Sequence, residues 1–162
     1  MSDLWGPLPR VGLGFDVHPF SDDPARRLVL GGVAIDGRGL AGHSDADVVA
    51  HAVADALLGA AGLDDIGTHF PASEPALAGV DSMELLARVV LMVAPLAHIA
   101  NVDTKVVLET PKLASHRAAM QKRLSDVVGA PVAVAAKRAE GLGAIGRSEG
   151  VACWAVALVV PR

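Results

Sequence analysis

Residues 151–160 read Val-Ala-Cys-Trp-Ala-Val-Ala-Leu-Val-Val, a run with no charged side chain anywhere in it. Apolar residues at both odd and even positions fit a central strand buried on both faces of a sheet. The fold must therefore be organised around a sheet. Composition says what packs on it. Hydrophobic residues make up 52% of the chain, yet aromatics only 3%, with no Tyr. Alanine and valine must fill the core. At 162 residues the chain is a single domain, and one of this size buries roughly 70% of its unfolded surface without staples. A mean hydropathy of +0.43 is high for a monomer and points to apolar surface buried against other copies.

Charge and cysteine content exclude other classes. The formal net charge is −4 and stacking aromatics are nearly absent, so a nucleic-acid partner is not expected. The single cysteine, Cys153, lies in the apolar run and reads as a small core residue in a reducing compartment. The first ten residues lack a basic stretch followed by an apolar one, so no signal peptide is expected. The longest uncharged run, residues 89–102, contains Pro95 and is too short to span a bilayer. A cytoplasmic protein with no membrane partner is expected.

Periodicity supplies the other elements. Val11, Leu13, Phe15 and Val17 alternate through residues 10–20, a strand pattern. Residues 28–35 form a second apolar run, expected to pair with the first across the polar loop 21–27. Ser44 or Asp45 can cap a helix that runs to about Ala61 and stops before Gly62. On it Asp47, His51 and Asp55 sit four apart as a polar stripe. Residues 63–79 read as a loop broken by Pro71 and Pro75. Asp81 and Glu84 have capping-box spacing, opening a helix to about Ala94 whose 89–93 stretch should be well buried. Residues 101–109 alternate as a strand, 112–128 form a third helix ended by Gly129 and Pro131, and 132–136 form another strand. The fold class is α+β: one mainly four-stranded mixed sheet with three helices on one face, with residues 1–9 as a loosely ordered extension.

One motif misleads. Residues 141–146 match G-x-G-x-x-G, but a strand rather than a helix follows, so no helix N-terminus is expected there for a dinucleotide. A glycine-rich turn between strands is the better reading.

Asp16 and His18 lie two apart on a strand, so carboxylate and imidazole share a face. His51 lies on the helix stripe. Singly, such residues are more often structural. Together they offer one oxygen and two nitrogens, a set that suits Zn²⁺ with a position left for substrate or water. Asp47 or Asp55, one turn away, could orient the His51 ring. His69, His98 and His116 lack such partners and read as structural or surface residues.

The strings GFDVHPF (14–20), HSDAD (43–47) with His51, DALLG (55–59), DIG (65–67), Phe70-Pro71, Pro111-Lys112 and EGLG (140–143) resemble, in order, the 2-C-methyl-D-erythritol 2,4-cyclodiphosphate synthase family. The correspondence covers residues 10–160. It implies an enzyme of non-mevalonate isoprenoid synthesis. In that reaction the 2-phosphate of a cytidine diphosphate ester of methylerythritol attacks the β-phosphorus and releases CMP. It implies Zn²⁺ on Asp16, His18 and His51, with Mg²⁺ or Mn²⁺ held by Glu140 and the substrate phosphates. It implies a homotrimer with active sites between subunits. His43 and Ser44 would contact phosphate. Asp65, Ile66 and Gly67 would hold the methylerythritol hydroxyls, with Phe70, Pro71 and Glu74 in the adjoining loop. Leu108, Glu109, Thr110, Pro111, Lys112, Leu113 and Ala114 would wrap the cytidine and its phosphates, together with Lys137, Arg138 and Ala139. Phe15, Arg147 and Glu149 match a threefold channel associated with isoprenoid diphosphates.

Phosphoryl transfer between two anions needs in-line placement and neutralisation more than a protein nucleophile, and an acidic chain must draw that field from cations. The sequence departs from the family where Lys137-Arg138-Ala139 replaces a run of threonines, at Ala72, usually acidic, and at Ala144, usually Phe. Two competing functions are a metal-dependent phosphohydrolase using bound water, and a non-catalytic trimer that senses isoprenoid diphosphates.

Overall fold

The computed structural model describes residues 8–162. The expected N-terminal extension therefore lies outside the described residues, apart from Leu8 and Pro9. The elements follow in the order β1 (Arg10–Pro19), β2 (Leu28–Leu30), β3 (Val33–Ile35), α1 (Val48–Ala61) and α2 (Ile66–His69). A 3-10 turn (Pro75–Leu77), α3 (Ser82–Val93), β4 (Ala97–Val107) and α4 (Arg117–Val128) come next, then β5 (Val132–Lys137), α5 (Gly143–Gly146) and β6 (Gly150–Pro161). Four strands form one mixed sheet in the order β1-β6-β4-β5. Only β4 and β5 run parallel, joined through α4 as parallel neighbours require.

The expected pairing of residues 10–20 with 28–35 is not what forms. β1 pairs along its whole length with β6, Asp16 opposite Cys153 and His18 opposite Val151. Residues 28–35 instead fold back on themselves as the β2–β3 hairpin. Gly31 and Gly32 both take positive φ, +57° and +70°, and turn the chain there. The buried Asp47 carboxylate holds that turn, accepting from Gly31 N at 2.9 Å and Gly32 N at 2.6 Å. It also caps α1, accepting from Val49 N and Ala50 N. Asp47, rather than Ser44 or Asp45, is thus the N-cap. Ala46, with φ of +60°, keeps helical geometry from starting earlier.

Residues 97–100, expected to precede the third main strand, extend it, and a bulge lies between Ile99 and Asn101. Residues 112–116 form a loop before α4. Leu91 is 73% exposed, so the 89–93 stretch is buried on one side only. The glycine-rich run contains one helical turn, α5, where none was expected. It leads straight into β6, so it is still a connection between strands and not the start of a crossover helix.

Packing follows from small side chains. Among the described residues the buried core is Leu, Val, Ala, Met, Ile and Cys153 without an aromatic ring; leucine shares the filling with alanine and valine. α1 lies across β1 with backbone nearly touching backbone. A Cβ at Gly12 would sit 2.0 Å from Ala56 O, and one at Gly14 would sit 1.9 Å from Ala52 O. Both are far inside van der Waals contact, so only glycine permits this approach. Asp16 and His18 continue the same strand face toward α1, and His51 lies in the first turn of that helix.

Among the described residues, nothing packs over the opposite face of the sheet in one chain. The alternating residues Val11, Leu13, Phe15 and Val17 point outward, with Leu13 68% exposed. Trp154 and Val156 of β6 join them, and Trp154 packs on Phe15 with ring centroids 4.9 Å apart. The final strand is therefore central, as expected, but within one chain it is covered on one face only, because all the packed helices lie on that side.

Gly14→Ala should destabilise the protein by about 1–3 kcal/mol or more by forcing α1 off the sheet. Gly59→Ala, whose Cβ would meet only Leu13 O at 4.0 Å, should raise stability by about 0.5–1 kcal/mol. Urea unfolding midpoints of the two variants check the contrast.

Candidate active site

β1 and α1 bring three of the sequence candidates to one point. His51 Nδ1 lies 2.9 Å from Asp16 Oδ2, and His18 Nε2 lies 3.2 Å from the same oxygen. One ligand atom from each residue falls within 4.8 Å of the others. His18 Nδ1 donates to the Ala41 carbonyl at 2.6 Å, which leaves the Nε2 lone pair facing Asp16. A carboxylate and an imidazole lone pair directed at each other call for a cation between them. One oxygen and two nitrogens suit Zn²⁺, and the residues present therefore fit the ion.

Neither Asp47 nor Asp55 orients the His51 ring, contrary to expectation. Asp47 is spent on the helix cap and hairpin turn, and Asp55 accepts from Ile66 N at 2.8 Å. His51 Nε2 instead meets Ser82 Oγ at 2.8 Å and Ser44 Oγ at 3.2 Å. Ser82 was invisible as a site residue in the sequence. It stands at the start of α3 beside a capping aspartate, and nothing local ties it to a residue 31 positions earlier.

Electrostatics bind the trio. Burial pushes the Asp16 carboxyl up, but His18 and His51, which in their protonated forms turn an N–H and a positive charge toward it, outweigh burial and hold it well below the usual carboxylate range. For His18 burial acts downward, and the hydrogen bond that the protonated ring makes to Asp16 outweighs it, raising the imidazole above its ordinary value.

A cavity of about 220 Å³ opens beside the trio, lined also by His43, Ser44, Ile66, Phe70, Ala72, Leu77, Val80 and Leu85. His43 Nε2 bonds the Glu74 carbonyl at 3.0 Å and so ties the loop before α1 to the 71–74 turn. Asp65 caps α2 by accepting from Thr68 N at 2.8 Å; of that turn Ile66 lines the cavity, while Asp65 and Gly67 do not. Among the other histidines, His69 is a strut, bonding the Leu63 carbonyl at 2.6 Å.

A second cavity, about 260 Å³, gathers Leu108, Glu109, Pro111, Lys112, Leu113 and Ala114 with Lys137 and Arg138. Thr110-Pro111 is a cis peptide. Arg117, the first residue of α4, adds a cation the sequence reading missed. Lys112, Arg117, Lys137 and Arg138 make this an anion-receptive pocket in an acidic chain. The Arg138 guanidinium binds Glu109 through Nε at 3.0 Å and Nη2 at 2.8 Å, while Gly141 N reaches the other Glu109 oxygen at 3.2 Å. Arg138 thus stands at the cavity with its charge engaged by Glu109. Glu140 follows β5 with φ of +52° and is exposed, apart from the trio. The two cavities share no lining residue within one chain. Arg147 pairs with Glu149 at 2.6 Å on the surface.

A mixed sheet with helices on one face, carrying a carboxylate and two imidazoles that converge beside a pocket, defines a metal-site α+β enzyme. The family model described as YgbB matches residues 9–160. The chain is 50% identical over 157 residues to the 2-C-methyl-D-erythritol 2,4-cyclodiphosphate synthase of Symbiobacterium thermophilum, covering 94% of this chain and 99% of the relative. It is 51% identical over 156 residues to that of Pelotomaculum thermopropionicum, covering 93% and 94%. The bifunctional IspDF of Campylobacter jejuni superposes with a TM-score of 0.90 at 38% identity, over 96% of this chain and 43% of that one. The IspF of Plasmodium falciparum, in a CDP complex, does so with a TM-score of 0.84 at 32% identity, over 98% and 99%. The chain belongs to the YgbB family of cyclodiphosphate synthases.

His51→Ala should abolish zinc retention, read by elemental analysis after dialysis. Asp16 raises the proton affinity of His18, so protons compete with zinc for that ring and zinc affinity should fall as pH drops. In metal-free protein the signs follow from the two shifts. The lowered Asp16 adds stability above its unfolded value near 4, lost as pH falls, and the raised His18 adds stability below about 6.5, lost as pH rises through its folded value. Thermal unfolding of metal-free wild type against His18→Ala should show the largest difference between about pH 4 and about pH 6.5.

Proposed function

We propose that the chain converts 4-diphosphocytidyl-2-C-methyl-D-erythritol 2-phosphate to 2-C-methyl-D-erythritol 2,4-cyclodiphosphate and CMP. The convergence of Asp16, His18 and His51 carries this reading, in a chain half identical to proteins named for that product. An oxygen of the 2-phosphate forms a bond to the β-phosphorus. The bond from that phosphorus to the oxygen bridging it to the α-phosphorus breaks, and the bridging oxygen leaves with CMP. No protein nucleophile is needed, because a phosphate monoester is already an anion near neutral pH.

Zn²⁺ on Asp16, His18 and His51, with Mg²⁺ or Mn²⁺ at Glu140, supplies neutralisation of the phosphates when bound. The chain's own residues bind and orient. Asp65, Ile66 and Gly67 hold the methylerythritol hydroxyls beside Phe70, Pro71 and Glu74, and His43 and Ser44 face the phosphates. The second cavity takes the cytidine diphosphate part, with residues 108–114 around the base and Lys137, Arg138 and Ala139 beside its phosphates. A CDP ligand in the Plasmodium falciparum relative supports this assignment.

Assembly follows from the bare sheet face. Val11, Leu13, Phe15, Val17, Trp154 and Val156 form an apolar surface of the kind that marks association. We assign it to a homotrimer, which sets one subunit's metal trio against its neighbour's cytidine cavity. Phe15, Arg147 and Glu149 then face a central channel suited to an isoprenoid diphosphate. No helix among the described residues is long and apolar enough to cross a membrane. Cys153, buried and unpaired, fits a reducing cytoplasm.

Incubation of the cytidylyl substrate with enzyme, zinc and magnesium should yield CMP and the cyclic diphosphate by phosphorus NMR. A linear phosphorylated product would establish hydrolysis instead, and ligand binding without CMP release would leave a sensor. Glu140→Gln should raise the magnesium concentration needed for half-maximal turnover. Leu13→Glu should shift the mass measured by light scattering from trimer to monomer.

A further inference from the structure

We infer that Ser82 and Asp45 are positioning residues that set the tautomer of His51, so that its Nδ1 presents a lone pair beside Asp16. The inference rests on the metal reading of the trio and concerns residues from two other segments of the fold. The Ser82 hydroxyl donates to Asp45 Oδ1 in a short hydrogen bond. Ser82 N also donates to Asp45 Oδ2 at 3.3 Å, fixing the carboxylate against the start of α3. A hydroxyl has one proton and otherwise only lone pairs. With that proton given to an acceptor-only carboxylate, Ser82 Oγ can meet His51 Nε2 at 2.8 Å only by accepting. Nε2 therefore carries the ring proton, and Nδ1, 2.9 Å from Asp16 Oδ2, carries the lone pair.

The arrangement repeats at His18 by simpler means. There the Ala41 carbonyl, which can only accept, places the proton on Nδ1. Both rings are thus wired from behind to turn a lone pair toward Asp16. Ser44 Oγ is the competing partner of His51 Nε2, but it lies farther away at 3.2 Å; it accepts from Ala46 N at 3.1 Å, and its proton has Ser82 Oγ, 3.3 Å away, as an acceptor. Ser82 is 1% exposed, so water does not compete for its hydroxyl.

The test uses the full chain. Zinc affinity is measured by competition with a chromophoric chelator, and the His51 tautomer of metal-free protein is read from ring ¹⁵N shifts followed upward in pH until they no longer change. Ser82→Ala should weaken zinc about 10–100-fold and turn a single Nε2–H tautomer into a mixture. Asp45→Asn should do the same to a lesser degree. Ser82→Thr, which keeps the hydroxyl, should restore both, and Ser44→Ala should leave the tautomer unchanged. Zinc affinity within twofold of wild type together with a pure Nε2–H signal in Ser82→Ala would overturn the inference. Should that variant fail to fold, the same pair of results in Asp45→Asn would overturn it. Wild-type protein that binds no divalent ion would sink the metal reading alone, since the tautomer measurement still judges Ser82 and Asp45.

Discussion

Backbone contact between α1 and β1 is the constraint from which the rest follows. Helices usually stand off a sheet by the thickness of the side chains between them. Here Gly12 and Gly14 have no side chain, and Ala52, Ala56 and Ala60 have the smallest. The helix descends until its carbonyls meet the strand. That approach lets short ligands, an aspartate and two histidines, reach a common point without long flexible stems. It also explains a core of leucine, valine and alanine: a large ring in this layer would lift the helix and separate His51 from Asp16.

Asp47 serves the same end from the other side of α1. Its carboxylate is fully buried, yet it accepts four backbone N–H groups, two from the helix start and two from the β2–β3 turn. Buried acceptors are tolerated only when satisfied in this way. One side chain thereby fixes both where the helix begins and where the hairpin lies against it. His51, four residues on, inherits that fixed position.

The charge pattern suits an enzyme of phosphate esters. The chain is acidic overall, with a net charge of −4, so its anion-binding capacity is local. One part lies in the second cavity, with Lys112, Arg117, Lys137 and Arg138. The other is the trio, which becomes positive only with a cation bound. These two regions share no lining residue within one chain, and among the described residues the apolar sheet face is exposed. In the trimer proposed above, association would set one subunit's trio against its neighbour's cavity.

Much of this was legible from sequence, because strong local signals carried it. The D-x-H spacing put Asp16 and His18 on one strand face, the helix stripe offered His51, and Gly62 and Gly129 ended α1 and α4 where expected. The EGLG segment proved a connection between strands, as its flanking strands required. Strand partners were not legible: the pairing of β1 with β6 joins residues more than a hundred positions apart, and only tertiary packing selects it. The helix cap went to Asp47 because a glycine turn elsewhere needed the same carboxylate. Ser82, Asp45 and the Ala41 carbonyl entered the site through contacts between segments that no local pattern marks. The sequence by itself determined which side chains could bind a cation and which backbone positions had to be small. The tertiary structure alone decided which hydrogen-bond partners stand behind those side chains, and that the alternating apolar stripe of β1 faces outward, because one layer of helices can cover only one face of a sheet.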